Sequence, residues 1–451
     1  MKLFKLILII SCSFSKVFGQ SEILNKYVNE GLQNSQILKQ QTFQLQKAVV
    51  ALAEAKTLFK PNINFNTTLS AAQGGRKIEI PVGDLVNPVY TTLNRLTATN
   101  SFPQIQNTSE QLVPPDFYDV RVKTTMPIIN AELKYNQAIK QEQISLQQTE
   151  IQVYKRELVK DIKSAYINYL KATEAIKIYE NALKLLREAE RVNESLIKNG
   201  SANPTVLVRT RNEIAKINGD FEAALGTQKN AAAYFNFLLN KDFVEKIEID
   251  TLGRSSFSIS LVDGHREELD KIQKGIDINR QILGLNQSYK KFKIGASLDL
   301  GSQGRFAQIA SANKNFFSPN AFVLFGISFD LPIYSFGRNQ LKIKQSELEI
   351  SSLDAQMQQV KNQLDLQAEI AKNSLNAARE IYEAKASQVS TAERYYRDMM
   401  RRYKEGNLNF IELLDAQTQI TTAQLQQSIS LYDVWIKWVE LERAKASYDL
   451  K

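Results

Sequence analysis

The sequence predicts a mainly α protein with a β membrane portion, built as a tandem repeat in which each copy has two strands and long coiled-coil helices. Three observations carry this. Two long runs, free of proline and of interior glycine, keep apolar residues at a seven-residue step. Four short segments alternate apolar and polar side chains at a period of two. The stretch Tyr403-Lys-Glu-Gly406-Asn-Leu-Asn409-Phe-Ile-Glu412-Leu-Leu-Asp415-Ala416 has a weaker twin, Ile197-Lys-Asn-Gly200-Ser-Ala-Asn203-Pro-Thr-Val-Leu207, about 206 residues earlier. Each has Gly, then Asn three residues on, then Leu four further, and self-similarity over such a distance decides the reading of the whole chain.

Residues 1–19 read as a signal peptide. Lys2 and Lys5 form the charged region, Leu6–Ile10 the apolar core, and Val17-Phe-Gly19 a small-residue cleavage site. Cys12, the only cysteine, stands in Ile-Ile-Ser-Cys, which also resembles a lipoprotein cleavage box. Cleavage after Gly19 and lipidation of Cys12 are alternative readings of the same leader. Past it there is no run of 18 apolar residues, the minimum for a membrane helix.

The first repeat spans 20–261. Residues 23–60 carry helical spacing (Ile37, Val49, Leu52, Leu58) and stop at Pro61, which cannot continue a helix. The period then becomes two: in 61–70, Ile63, Phe65, Thr67 and Leu69 face opposite Asn62, Asn64, Asn66 and Thr68. Residues 71–117 hold five of the ten prolines and read as one long loop. Alternation returns in 118–126, completing a hairpin with a large excursion at its tip. A helical hairpin follows over 128–240. Its first arm repeats every seven residues at Ile144, Ile151, Leu158, Ala165, Ala172, Tyr179 and Leu186, the mark of a coiled coil. At 1.5 Å per residue that arm would reach roughly 100 Å. Residues 241–261 are mixed, with a strand expected at Ile247–Asp250.

The second repeat, 262–451, runs the same program. A helix over Leu269, Ile272, Ile276 and Ile282 leads to strands at 292–300 and 323–331, then to a helical hairpin over 335–449. Leu375, Tyr382, Val389, Tyr396 and Tyr403 keep the seven-residue step up to Gly406. By this reading all ten prolines fall in strand ends, loops or the Gly200 turn, never inside a long helix.

Four such strands cannot stand alone. A membrane sheet must close to satisfy its edges, and about eight strands is the smallest barrel. Several copies are therefore needed, and three would give a 12-stranded β-barrel with an α-helical barrel made by the same chains.

The order of these parts resembles the TolC-type outer-membrane efflux protein family over essentially the whole mature chain. The matching residues are Leu331-Pro-Ile-Tyr-Ser-Phe-Gly337-Arg338 at a strand-to-helix junction, and Tyr403-Lys-Glu-Gly406 followed by Glu412-Leu-Leu-Asp415-Ala-Gln417. The resemblance implies a homotrimer in outer-membrane lipid, with its helical part in the periplasm. It also implies a periplasmic adaptor and an inner-membrane pump of RND, ABC or MFS type. It puts a pore constriction at Glu412, Asp415 and Tyr403, and adaptor contacts at the tips carrying Gly200, Asn203, Gly406 and Asn409. The i, i+3 spacing sets both acids on one helix face. Read from the residues alone, Glu412 and Asp415 are equally helix-start acids, with Asn409 close to a capping box, and Tyr403 is a seam residue. Two positions depart from the family: Leu408 stands where its locking arginine is found, and Val206 where an acid is. Its usual proline before the second repeat's first strand is replaced by Lys291-Phe292.

Other chemistry is thin. Net charge is +9, or +6 without Lys2, Lys5 and Lys16, and it is spread among acids, which argues for a solvated helical surface and against nucleic acid. One histidine, His265, and no mature cysteine leave no His/Cys metal site and no catalytic triad; no cofactor motif occurs. The expectation is a non-enzymatic export duct. A protein-secretion duct of the same fold, or a secreted structural coiled coil, are the alternative readings.

Overall fold

A computed structural model describes residues 22–113, 115–250, 261–305 and 320–450. The leader and Cys12 lie outside the described residues. By contacts the chain forms two compact units. One comprises Met1–Ala48, Glu142–Ile278 and Glu349–Lys451, the other Val49–Gln141 and Asn279–Leu348.

In the second unit, β1 (Asn62–Ala71), β4 (Asp116–Ile129), β5 (Lys293–Gly304) and β6 (Ala321–Asp330) form an antiparallel sheet in the order β1-β4-β5-β6. The register sets Phe65, Val122, Leu300 and Val323 in one row across all four strands, with Ile63, Thr124, Leu298 and Phe325 in another. Because side chains alternate along a strand, these rows share one face. The intervening row Asn64, Lys123, Asp299 and Leu324 belongs to the other, which is polar except toward β6. The apolar face is open: Ile63, Phe65, Leu69, Val323, Phe325, Ile327 and Phe329 are all exposed. On the polar face Arg121 forms a two-pronged ion pair with Asp119.

The excursion between β1 and β4 is more ordered than a loop. It contains a two-stranded hairpin, β2 (Lys77–Ile80) with β3 (Thr108–Gln111), and between them helix α3 (Val82–Thr97). Pro88 sits inside the 16-residue α3, where the sequence reading expects a loop. It lies seven residues into the helix, and Thr92 turns its hydroxyl to the Pro88 carbonyl at 2.8 Å.

The other unit is helical. The run expected as one helix over 23–60 is two, α1 (Glu22–Asn34) and α2 (Gln36–Thr57). Ser35 makes the break, its hydroxyl accepting from Leu38 N–H at 3.3 Å as an N-cap. The long hairpins are α4 (Ala131–Lys198) with α5 (Thr205–Leu238), and α7 (Arg338–Lys404) with α8 (Phe410–Ala444); α6 (Glu267–Gln287) precedes β5. One core cluster gathers Val28, Ile162, Tyr166, Leu170, Phe235, Val434 and Trp438. A second gathers Leu183, Leu186, Tyr396, Tyr403, Leu413 and Ala416.

The strand expected at Ile247–Asp250 does not form. Tyrosine hydroxyls take its backbone instead: Tyr27 accepts from Glu248 N–H (2.8 Å), while Tyr166 donates to Glu248 C=O (2.9 Å) and accepts from Asp250 N–H (3.0 Å). Three rings, Tyr27, Tyr166 and Phe235, pack with centroids 5.0–5.7 Å apart and hold those hydroxyls in place. Nearby, Lys163 is fully buried. It is paired with Glu442 at 2.6 Å and lies 4.2 Å from the centre of the Tyr448 ring. Burial pulls its pKa down against the pull of that partner.

Candidate functional site

The two hairpin ends are built alike. α4 stops where Gly200 takes a left-handed φ of 71°, and α7 where Gly406 takes 76°. No atom would meet a Cβ at either position, so glycine is there for its backbone angle and not for space. Gly200 N–H donates to Ile197 C=O (3.0 Å) and Ser201 N–H to Leu196 C=O (2.8 Å). Gly406 N–H donates to Tyr403 C=O (3.0 Å) and Asn407 N–H to Arg402 C=O (2.9 Å). This is the Schellman closure, which satisfies the last carbonyls of a helix.

The returning helices also start alike. Asn203 Oδ1 accepts from Thr205 N–H at 3.0 Å, and Asn409 Oδ1 from Ile411 N–H at 3.1 Å. Each asparagine thus covers an orphan amide of the first turn. The capping box on Asn409 is only half made. Glu412 lies in the first turn but is exposed, and its carboxylate makes no hydrogen bond among the described residues. Asp415 is exposed one turn on and accepts from Gln419 at 2.6 Å.

Tyr403 is buried, with its ring 5.7 Å from that of Phe410. Its hydroxyl donates to Asn193 Oδ1 on α4. Asn193 Nδ2 donates to Thr210 Oγ1 on α5 at 2.7 Å, and Thr210 donates to Val206 C=O at 2.8 Å. A one-way chain of hydrogen bonds therefore ties the second hairpin to both arms of the first, through side chains that are almost wholly buried. Burial raises the Tyr403 pKa, favouring the neutral hydroxyl that can donate. Leu408 and Val206, the two departures from the family pattern, pack against the apolar cluster around Tyr403.

The structure thus brings Tyr403, Gly406, Asn409 and Phe410 together with Asn203 and Val206, around a shallow cavity of about 390 Å³. Sequence reasoning missed Asn193 and Thr210. The signal for Asn193 was present: the seven-residue row ending at Leu186 lands next on residue 193, and a lone asparagine on a coiled-coil seam is a register device. Nothing comparable marks Thr210. His265 is exposed and bonds to Asp270. No cluster of metal-ligating side chains occurs among the described residues.

Residues 286–446 match the family model described as outer membrane efflux protein. Over this segment the chain is similar to that family. No curated protein matches the chain in sequence. Among solved structures, CusC superposes with a TM-score of 0.75 at 14% identity, covering 95% of this chain and 93% of its own. A membrane protein from Pseudomonas aeruginosa gives 0.74 at 16%, covering 94% and 92%. The CmeC outer membrane channel of Campylobacter jejuni gives 0.73 at 14%, covering 94% and 86%. At such identities the likeness carries the fold, and that fold is TolC-like. No helix among the described residues is long and apolar enough to cross a membrane.

Proposed function

We propose that this efflux protein is the trimeric outer-membrane duct of a tripartite export system, passively conducting substrates handed over by a periplasmic adaptor and an inner-membrane pump. The observation that carries the reading is the four-stranded sheet. Among the described residues it has one apolar face, one mainly polar face, and unpaired edges on β1 and β6. Such a sheet is stable in lipid only when further copies close it; three copies make a 12-stranded barrel and set six long hairpins side by side. The twin hairpin ends, 206 residues apart, support reading the chain as two structural repeats, 20–261 and 262–451.

Within that duct, Glu412 and Asp415 line the narrow periplasmic mouth as two stacked rings of carboxylates, and Tyr403 holds the mouth's wall. The tips at Gly200, Asn203, Gly406 and Asn409 receive the adaptor. Support comes from Glu412 being exposed and unengaged in a turn that Asn409 already caps, which leaves its charge free for the lumen. Rings of acids favour cations. In single-channel recordings, Glu412→Gln with Asp415→Asn should lower cation preference and relieve block by multivalent cations. Unchanged selectivity in channels that still run as heat-sensitive trimers would reduce both acids to helix-start residues.

A further inference from the structure

The charges on the polar face of the sheet are unequally placed. Between the terminal rows this face carries four charged side chains among the described residues: Asp119, Arg121 and Lys123 on β4, and Asp299 on β5. β1 brings it Asn62, Asn64, Asn66 and Thr68, all exposed and uncharged. Two acids and two bases would cancel on an evenly exposed surface, but the exposure here is uneven. Arg121 is neutralised in place. Its guanidinium takes both oxygens of Asp119 and lies 5.8 Å from the centre of the Phe322 ring. Phe322 reaches it across Gly301, where a Cβ would stand 2.9 Å from the ring and 3.0 Å from Arg121 Cβ. Asp119, Arg121 and Phe322 therefore close over that glycine as one cluster.

Asp299 is sunk in the wall. It is 7% exposed, and its Oδ1 has no hydrogen-bond partner among the described residues. Lys123 is its direct cross-strand neighbour, and opposite charges so placed ordinarily attract one another. Lys123 is nevertheless exposed and makes no ion pair among the described residues. Beyond Asp299 on the same row, Leu324 is 59% exposed and brings no charge. Of the four charged groups, Lys123 thus presents an accessible charge that nothing on its face cancels.

We infer that Lys123 is a specificity-determining residue of the conduit, favouring anionic solutes where they pass through the strand region. This rests on the trimeric reading above, in which the polar face lines the lumen. Three copies set three Lys123 ammoniums at one height, and a ring of basic side chains favours anions. That ring stands in series with the acid rings proposed at the periplasmic mouth and is opposite to them in sign. The test changes the charge at this position after assembly. Lys123→Cys is purified and reconstituted in planar bilayers, with the parent, whose one cysteine is Cys12, as control. The chloride-to-potassium permeability ratio is read before and after aminoethyl methanethiosulfonate, which restores a positive charge, or sulfonatoethyl methanethiosulfonate, which adds a negative one. The ratio should fall on substitution, return with the aminoethyl group, and drop below the unmodified variant with the sulfonate. Each change should be about twofold or more at about 10 mM salt and shrink at about 1 M, where the screening lengths are roughly 30 and 3 Å. Lys123→Gln, read without reagent, should give the same fall where the cysteine variant does not assemble. Labelling that leaves the ratio unchanged, or no labelling while the unheated trimer band is intact, overturns the inference and leaves the trimer standing. A parent protein that never gives a trimer band sinks the trimeric reading and the inference together.

Discussion

Asn193 occupies the point where the apolar row of α4 would next supply a leucine, and the cost of a polar group there is met by full partnering. Its amide accepts from Tyr403 and donates to Thr210, all within the packed cluster. Asn193→Leu leaves the Tyr403 hydroxyl buried without that acceptor, at a cost of about 1–3 kcal/mol, whereas Asn193→Leu with Tyr403→Phe removes both partners and is milder. The thermal midpoint of helical circular dichroism reads the difference; equal losses in single and double variants would mean the bond contributes nothing. The same tyrosine carries a pH signature. Its unfolded pKa is about 10, and burial raises the folded value; Tyr396 and Tyr432 are pushed up to about 12 by the same cause. A raised folded pKa means stability that is complete below pH ~10 and is lost as pH climbs through the folded values. Wild type should therefore weaken between pH ~10 and ~12, and Tyr403→Phe should show a shallower decline.

At the level of elements, what was legible followed from periodicity. The four long strands, the paired helical hairpins and the glycines that end them all leave a pattern in one dimension. What was not legible is held by partners distant in sequence. α3 was hidden by its prolines, and it persists because Asn87 and Asn94 find carbonyls and amides across a reversal of the chain. Ile247–Asp250 alternates like a strand, yet tyrosines from α1 and α4 satisfy its backbone. The split between α1 and α2 turns on a single serine that helical spacing cannot register. For the site, the hairpin residues were visible in the repeat, but the buried chain through Thr210 belongs only to the three-dimensional arrangement. The sheet's two faces make a prediction of their own. Ile327→Arg on the apolar face of β6 should cost about 2–4 kcal/mol at mid-bilayer depth and lower the membrane-inserted fraction, while Lys123→Gln on the polar face should leave insertion unchanged. Equal insertion of the two variants would mean the apolar face does not meet lipid.

For the molecule as a whole, the proposed trimer would tie stability to assembly through the edges of β1 and β6 that are open among the described residues. A single chain in lipid would leave rows of backbone N–H and C=O groups unpaired, at several kcal/mol for each group. On heating, loss of the trimer band and loss of the infrared strand signal should share one midpoint. A strand signal that outlives the trimer band would show that a lone four-stranded sheet persists and that closure is not what holds it. In the proposed duct the β1–β4 excursion faces the outside of the cell, and that has a separate consequence for survival there. Backbone that is extended and free is what a cleaving enzyme docks onto, strand against strand. Between Phe102 and Asn107 that docking edge is already filled by the amides of Asn87 and Asn94. In that setting a long, proline-rich excursion can be displayed without offering a protease its preferred grip.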